Sequence, residues 1–216
     1  MAIVGHVKSL RREYSGESLD ESTVEHDPFL QFSKWFREVV EVGISDPNAM
    51  VLATASREGK PSARVVLLRG LDRNGLVFYT NYDSRKAKDI LRVPKVAVVF
   101  FWSELSRQVR VEGTVKKVSA KESDEYFRSR PEGSQLATWA SNQTEVISGR
   151  EELDRLFDQF KAKFTGRPVP RPKHWGGFRI FPSAFEFWQG RPNRLHDRIL
   201  YHRDETGRWV IERLAP

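Results

Sequence analysis

Three polar side chains near the end of the chain, Arg194, His196 and Arg198, alternate with Leu195 and Asp197. They follow the run Glu186-Phe187-Trp188-Gln189-Gly190. Alternate residues of an extended strand share one face. On that reading two guanidinium groups and an imidazole line one surface, with an aromatic platform just upstream. Such a surface suits a small, planar, anionic ligand. His196 and Asp197, as strand neighbours, point to opposite faces and form no catalytic dyad.

Other positions could serve a ligand of the same kind. Ser84 is a candidate N-cap, which puts Arg85 and Lys86 in a first helical turn, where the dipole disfavours cations. A bound anion would reverse that penalty, because free N–H groups and two cations would converge on it. The alternative is a solvated turn that tolerates the small cost. Arg64 and Arg69 bracket Val65-Val66-Leu67-Leu68, and their odd separation places them on opposite faces of a regular strand. Either they serve different ligands, or a bulge re-aims one of them; Arg69 also reads as a strand-end charge. Gln108 and Arg110 share one strand face, where Gln108 either meets a heterocycle or simply faces solvent. Tyr126 and Arg130 meet on one helix face and, with Ser134, could hold a phosphate, or form part of an ordinary surface helix.

These residues need a frame. Residues 1–26 are polar, lack a sustained period and read as a mobile arm. Asp27-Pro28 is a helix start, and Phe29, Phe32, Phe36, Val39 and Val40 recur at helical spacing before Gly43. Strands are expected over 50–55, 63–68, 76–80, 96–102 and 108–117, with a hairpin signal at Asn74-Gly75. A short helix is expected over 84–91, and others at about 120–130 and about 150–165, the last with Leu153, Leu156, Phe157, Phe160 and Phe164 on one face. Strands resume over 177–181, 184–188, 198–202 and 209–213. Short connections imply antiparallel pairing. The expected fold is therefore one α+β domain, residues 27–216, on an antiparallel barrel.

Composition narrows the chemistry. With 216 residues, 39% of them hydrophobic and 12% aromatic, the chain can bury a real core. The net charge of +7 favours anionic partners, but basic residues are scattered rather than blocked, which favours a small phosphorylated ligand over nucleic acid. The absence of Cys excludes disulfides, thiolate nucleophiles and Cys-ligated zinc. No His pair has metal-ligand spacing, and no P-loop, nucleophile elbow or dinucleotide Gly-rich loop occurs. No signal peptide or transmembrane run is evident, so a cytoplasmic protein without membrane contact is expected.

Taken in order, these motifs resemble the flavin-dependent pyridoxamine 5′-phosphate oxidases. The resemblance covers nearly the whole chain. It rests on Leu10-Arg11-Arg12-Glu13-Tyr14, Arg64-Val65-Val66-Leu67-Leu68, Phe78-Tyr79-Thr80-Asn81 and Ser84-Arg85-Lys86-Ala87. It continues through Arg107-Gln108-Val109, Tyr126-Phe127, Ser129-Arg130-Pro131, Trp175-Gly176-Gly177, the Glu186 and Arg194 runs, and Glu212-Arg213-Leu214-Ala215-Pro216.

The resemblance implies an FMN-binding split β-barrel with peripheral helices, assembled as a homodimer with two FMN at its interface. It implies FMN contacts from Arg64, Val65, Val66, Leu67, Leu68, Arg69, Tyr79, Thr80, Ser84, Arg85, Lys86, Gln108, Gln143, Thr144, Trp188 and Arg198. Tyr126, Arg130 and Ser134, with Arg69, would grip the substrate phosphate, and Arg194 and His196 would hold the pyridine ring as the catalytic pair. Arg11 and Tyr14 would close over the substrate, giving the arm the role of a lid. The implied reaction is hydride transfer from substrate C4′ to flavin N5, with dioxygen as final acceptor and no metal. Arg69 stands where the family commonly has Lys, and Thr144 where Ser is common. Other redox chemistry on the same barrel, and a non-enzymatic basic barrel, are the rival readings.

Overall fold

The computed structural model of the chain describes residues 13–14 and 16–216. Arg11, with the rest of 1–12, lies outside the described residues. The chain divides into two compact units. The first takes the described residues up to Pro47, then Val99–Val111 and Ser183–Pro216; the second takes Asn48–Val98 and Glu112–Pro182.

The described strands are β1 (Ala49–Ala55), β2 (Pro61–Leu67), β3 (Gly70–Asp72), β4 (Gly75–Asn81), β5 (Lys95–Trp102), β6 (Arg107–Lys117), β7 (Trp175–Gln189), β8 (Asp197–Arg203) and β9 (Trp209–Arg213). They form one sheet in the order β2-β1-β5-β6-β7-β4-β3, with β8 on β7 and β9 on β8. The pairs β1–β2, β3–β4, β4–β7, β7–β8 and β8–β9 are antiparallel. The helices are α1 (Pro28–Glu41), α2 (Arg85–Arg92), α3 (Ala120–Ser129), α4 (Glu132–Ala140) and α5 (Arg150–Phe164). The fold is α+β, of the split-barrel class that the resemblance implies.

In the first unit, α1 starts as its sequence predicts. The Asp27 carboxylate accepts from the Phe29 N–H at 2.8 Å, and Pro28 needs no donor at that position. Phe32, Trp35 and Val39 are buried at helical spacing. Phe32 meets Phe100 edge-on at 5.0 Å, and Trp35 meets Phe187 at 5.2 Å. Val40, expected in that stripe, is instead 53% exposed. The described part of the arm is tied down. The Leu19 N–H donates to Asp197, the Tyr201 hydroxyl donates to the Glu25 carbonyl, and Leu19 and Val24 are buried.

In the second unit, β1 and β2 form a hairpin pairing Ala49 with Leu67 and Ala55 with Pro61. β4 pairs with the first part of β7, from Leu76 opposite Ile180 to Asn81 opposite Trp175. Phe127, Leu136, Phe164, Val169 and Trp175 form a buried cluster, with Phe157 and Phe160 packed against it.

Two expectations are corrected here. The segments 177–181 and 184–188 are one strand, β7. Pro182, between them, falls outside the ladder to β4, which ends at Ile180, and the ladder to β8, which starts at Ala184. Its missing N–H costs neither ladder a bond. Helix α4 was not foreseen, because Pro131, Gly133 and Ser134 are weak helix formers. Burial of Leu136 and Ala140 provides what propensity lacks. Among the described residues, no helix is long and apolar enough to cross a membrane.

Candidate active site

The second unit holds a cavity of about 750 Å³, a size typical of cofactor sites. Arg64, Arg69, Arg85, Lys86 and Arg130 line it, and no carboxylate does so among the described residues. Val65, Val66, Leu67, Tyr79, Thr80, Tyr126, Ser134, Gln143, Thr144 and Trp175 supply much of the remaining wall.

The side chains of Arg64, Lys86 and Arg130 donate to neutral oxygens, so no carboxylate cancels their charge through these bonds. Arg64 donates through Nη1 to the Leu52 carbonyl at 3.1 Å and Thr54 Oγ1 at 2.9 Å, and through Nη2 to Ser62 Oγ at 2.7 Å. Lys86 Nζ donates to Gln143 Oε1 at 2.7 Å and Thr80 Oγ1 at 3.3 Å. Burial, reinforced by the Arg64 charge, pulls the Lys86 ammonium down to about 8. The Arg85 N–H donates to Thr144 Oγ1 at 3.1 Å. Thr144 itself sits at φ 76, a conformation that costs a β-branched residue and persists only where its surroundings demand it. These contacts bring the start of α2, with Arg85 and Lys86, against the loop after α4 at the cavity wall.

The wall also carries Arg69, Tyr126, Arg130 and Ser134. Arg130 caps α3 and donates to Thr138 Oγ1 at 2.8 Å, with its guanidinium 4.7 Å from the centre of the Trp175 ring. Tyr79 stacks on Tyr126 at 3.8 Å and on Trp175 at 5.5 Å, giving a flat aromatic wall. Burial, with Glu122 adding to it, pushes the Tyr79 phenol up to about 12 and keeps it neutral. Gly177 makes room for that ring: a Cβ there would lie 2.8 Å from Tyr79 Cε1 and 2.7 Å from Val118 Cγ2.

Arg64 and Arg69 line one cavity despite their odd spacing. β2 ends at Leu67, and the Arg69 N–H turns to donate to the Val77 carbonyl at 2.8 Å. The parity rule therefore does not reach Arg69. Within the second unit, two expected cofactor residues do not line the cavity. Leu68 is buried, and the buried Ser84 hydroxyl donates to the Asn81 carbonyl at 2.7 Å. Ser84 is the N-cap residue of α2, but its side chain makes no cap bond. Ser62, Ala137, Thr138 and Ser141 line the cavity without having been singled out. Thr138 lies one helical turn beyond Ser134, a signal visible only once α4 is known.

The remaining expected residues lie in the first unit. Trp188 and His196 approach at 4.7 Å between ring centres, and Tyr14 meets both edge-on, at 5.5 and 5.4 Å. Trp188 lies opposite Arg198 in the β7–β8 ladder. Gln108 is half-buried on β6 beside Arg110, on the face opposite the buried Val109 and Val111. The alternation of Arg194, His196 and Arg198 along a strand is overturned. Pro192–Arg194 forms a 3-10 turn with Arg194 at φ 61, and β8 begins only at Asp197. Pro192 starts that turn, and His196 Nδ1 stabilises it by accepting from the Arg191 N–H at 3.0 Å. Arg194 is exposed, and His196 borders a second cavity of about 440 Å³ lined also by Asp197, Arg213 and Leu214.

Comparison with known proteins gives concordant matches. Residues 36–177 match the family model described as pyridoxamine 5′-phosphate oxidase. Residues 175–216 match the model described as the pyridoxine 5′-phosphate oxidase C-terminal dimerisation region. A pyridoxine/pyridoxamine 5′-phosphate oxidase of Rubrobacter xylanophilus is 55% identical over 207 residues, 96% of this chain and 95% of its own. One from Burkholderia lata is 51% identical over 209 residues, 96% of this chain and 97% of its own. Among solved structures, PhzG from Burkholderia lata 383, in complex with tetrahydrophenazine-1-carboxylic acid, superposes with a TM-score of 0.87. It is 27% identical, and the match covers 94% of this chain and 100% of PhzG.

Proposed function

The chain belongs to the pyridoxine/pyridoxamine 5′-phosphate oxidase family and is an oxidase of that kind; from this we propose that it converts pyridoxamine and pyridoxine 5′-phosphates to pyridoxal 5′-phosphate. The proposed cofactor is FMN, and the proposed assembly is a homodimer with two FMN at its interface. The observation that carries the reading is the cavity lined by five cations and by no carboxylate among the described residues. A cofactor phosphate and a substrate phosphate both need such a lining.

The residues present suit FMN. Arg64, Arg85 and Lys86, with Thr144 and Gln143, offer a phosphate cradle, and Val65, Val66 and Leu67 offer apolar backbone for a flat ring. Bound FMN would supply two-electron oxidation at the substrate C4′ carbon, with dioxygen taking the electrons to give hydrogen peroxide. The protein supplies the rest. Arg69, Tyr126, Arg130 and Ser134 bind the substrate phosphate, and that remote binding energy orients the reacting carbon. Tyr79 stays a neutral hydrogen-bond donor at any working pH. Arg194 and His196 are assigned to the pyridine ring, Gln108, Trp188 and Arg198 to the flavin, and Tyr14, with Arg11, to covering the substrate. Oxidation of the amine substrate gives an imine, which water hydrolyses to the aldehyde and ammonia without a protein nucleophile.

A second reading follows from the likeness to PhzG. The ligand named for PhzG carries a carboxylate and no phosphate. The cluster of Arg69, Tyr126, Arg130 and Ser134 favours a phosphate, and the oxidase of Burkholderia lata is 51% identical where PhzG is 27%. The test is an anaerobic titration of FMN-loaded protein with pyridoxamine 5′-phosphate. Bleaching of the flavin band, reversed by air as pyridoxal phosphate forms, is the expected result. A flavin that stays oxidised, but bleaches with a reduced phenazine carboxylate, would replace the first reading with the second.

A further inference from the structure

Glu186 stands out in the first unit as a carboxylate only 3% exposed, in a strand of large apolar residues. Phe185 and Phe187 on either side of it are fully buried. Its Oε1 accepts from Arg198 Nε at 2.9 Å and lies 2.9 Å from Arg198 Nη2. Its Oε2 lies 3.0 Å from Arg110 Nη2, close enough for an ion pair but without hydrogen-bond alignment. The third nitrogen of Arg198, Nη1, donates to the Ala215 carbonyl at 2.8 Å. The contact between Glu186 and Arg198 is a diagonal one: Trp188 lies directly opposite Arg198, and Glu186 lies two residues away on the same face of β7.

A buried ion pair is a weak source of stability. Desolvating both charges offsets most of their attraction, and an apolar side chain of similar volume often does as well. Packing alone therefore does not account for a carboxylate here. What the pairing does accomplish is geometric. An arginine side chain has several rotatable bonds and loses much rotamer entropy when it is ordered. A fork held at Nε and Nη2 by one oxygen has lost that freedom before any ligand arrives, so less is lost on binding.

We propose that Glu186 is a positioning residue for the cofactor, acting through Arg198. The inference rests on the reading of Arg198 as an FMN contact. Glu186 fixes the plane of the guanidinium and neutralises one of the two cations beside it, leaving Arg198 rigid rather than mobile.

The test is a double-mutant cycle on full-length protein, read as the FMN dissociation constant from flavin fluorescence. The variants are Glu186→Gln, Arg198→Ala and the two together. Arg198→Ala is expected to weaken FMN about tenfold, and Glu186→Gln about three- to tenfold, the size of losing or loosening a charged hydrogen bond. The double variant is expected to match Arg198→Ala within about twofold, because Glu186 has nothing left to position. If Glu186→Gln weakens FMN by the same factor in both backgrounds, or not at all, Glu186 is merely structural and the proposal is overturned. If Arg198→Ala leaves FMN binding unchanged, the assignment of Arg198 itself falls, and the proposal with it. Should Glu186→Gln fail to fold, Glu186→Asp runs the same cycle, with the charge kept and the reach shortened.

Discussion

At the scale of single residues, the cavity is a problem in keeping cations charged while burying them. Lys86 shows the compromise most plainly. Its ammonium is lowered from 10.5 to about 8 by burial first and by Arg64 second. The sign of the consequence follows. Below about pH 8 the folded chain bears the cost of a buried charge. Between about 8 and 10.5 the unfolded chain binds the proton more tightly, so this group's contribution to stability rises with pH across that window. A bound phosphate stabilises the charged form and raises the value, so binding takes up a proton. FMN affinity in the wild type is therefore expected to fall as pH rises above about 8, while Lys86→Met binds more weakly at pH 7 with a flatter pH profile. Fluorescence titrations from pH 7 to 9.5 check this; parallel profiles for the two proteins would remove Lys86 from the phosphate cradle. Arg69, where the family commonly has Lys, keeps the charge but presents a planar fork, and it shares the cavity with Arg130.

At the scale of elements, β4, α3 and the start of β7 act together through their aromatic rings. Tyr79, Tyr126 and Trp175 stack nearly parallel, with interplanar angles of 16°, 15° and 6°. Gly177 is what lets β7 pass beneath the Tyr79 ring. Gly177→Ala is expected to cost about 1–3 kcal/mol by overpacking, and to weaken FMN as the ring is displaced. Thermal melting and a flavin titration check the two effects, and an unshifted melt would show that the neighbours yield freely. Most of these elements were legible in advance. Asp27-Pro28 and the hairpin at Asn74-Gly75 follow from local rules that tertiary contacts do not override here. Helix α4 was not legible, because its formation depends on burying Leu136 and Ala140 rather than on its own propensities.

At the scale of the whole molecule, the C-terminal match to a dimerisation region has a measurable consequence. If two chains share the cofactor, FMN and dimer are linked, and each stabilises the other. Dilution of the holoprotein is expected to release FMN over the same concentration range in which sedimentation shows monomer, and excess FMN is expected to shift that range downward. FMN that stays bound to monomer would place the whole cofactor site within one chain. The two cavities described here lie one in each compact unit, with the cations of Arg64, Arg69, Arg85, Lys86 and Arg130 in one and His196 beside the other.

The amino-acid sequence by itself determined the family, most of the strands and helices, and the cationic and aromatic character of the cavity. Those follow from residue identity and spacing: charge, aromaticity, turn chemistry and the order of motifs are carried by the chain. Which side chains meet was a different matter. The odd spacing of Arg64 and Arg69 argued for opposite faces, yet both reach one cavity because β2 stops at Leu67. The even spacing of Arg194, His196 and Arg198 argued for one face, yet a turn with Arg194 at φ 61 breaks the alternation. Parity holds only within an unbroken strand, and where a strand breaks is decided by ladder partners distant in sequence. The pairing of Glu186 with Arg198 and Arg110 likewise depends on strands brought side by side, so only the tertiary structure could reveal it.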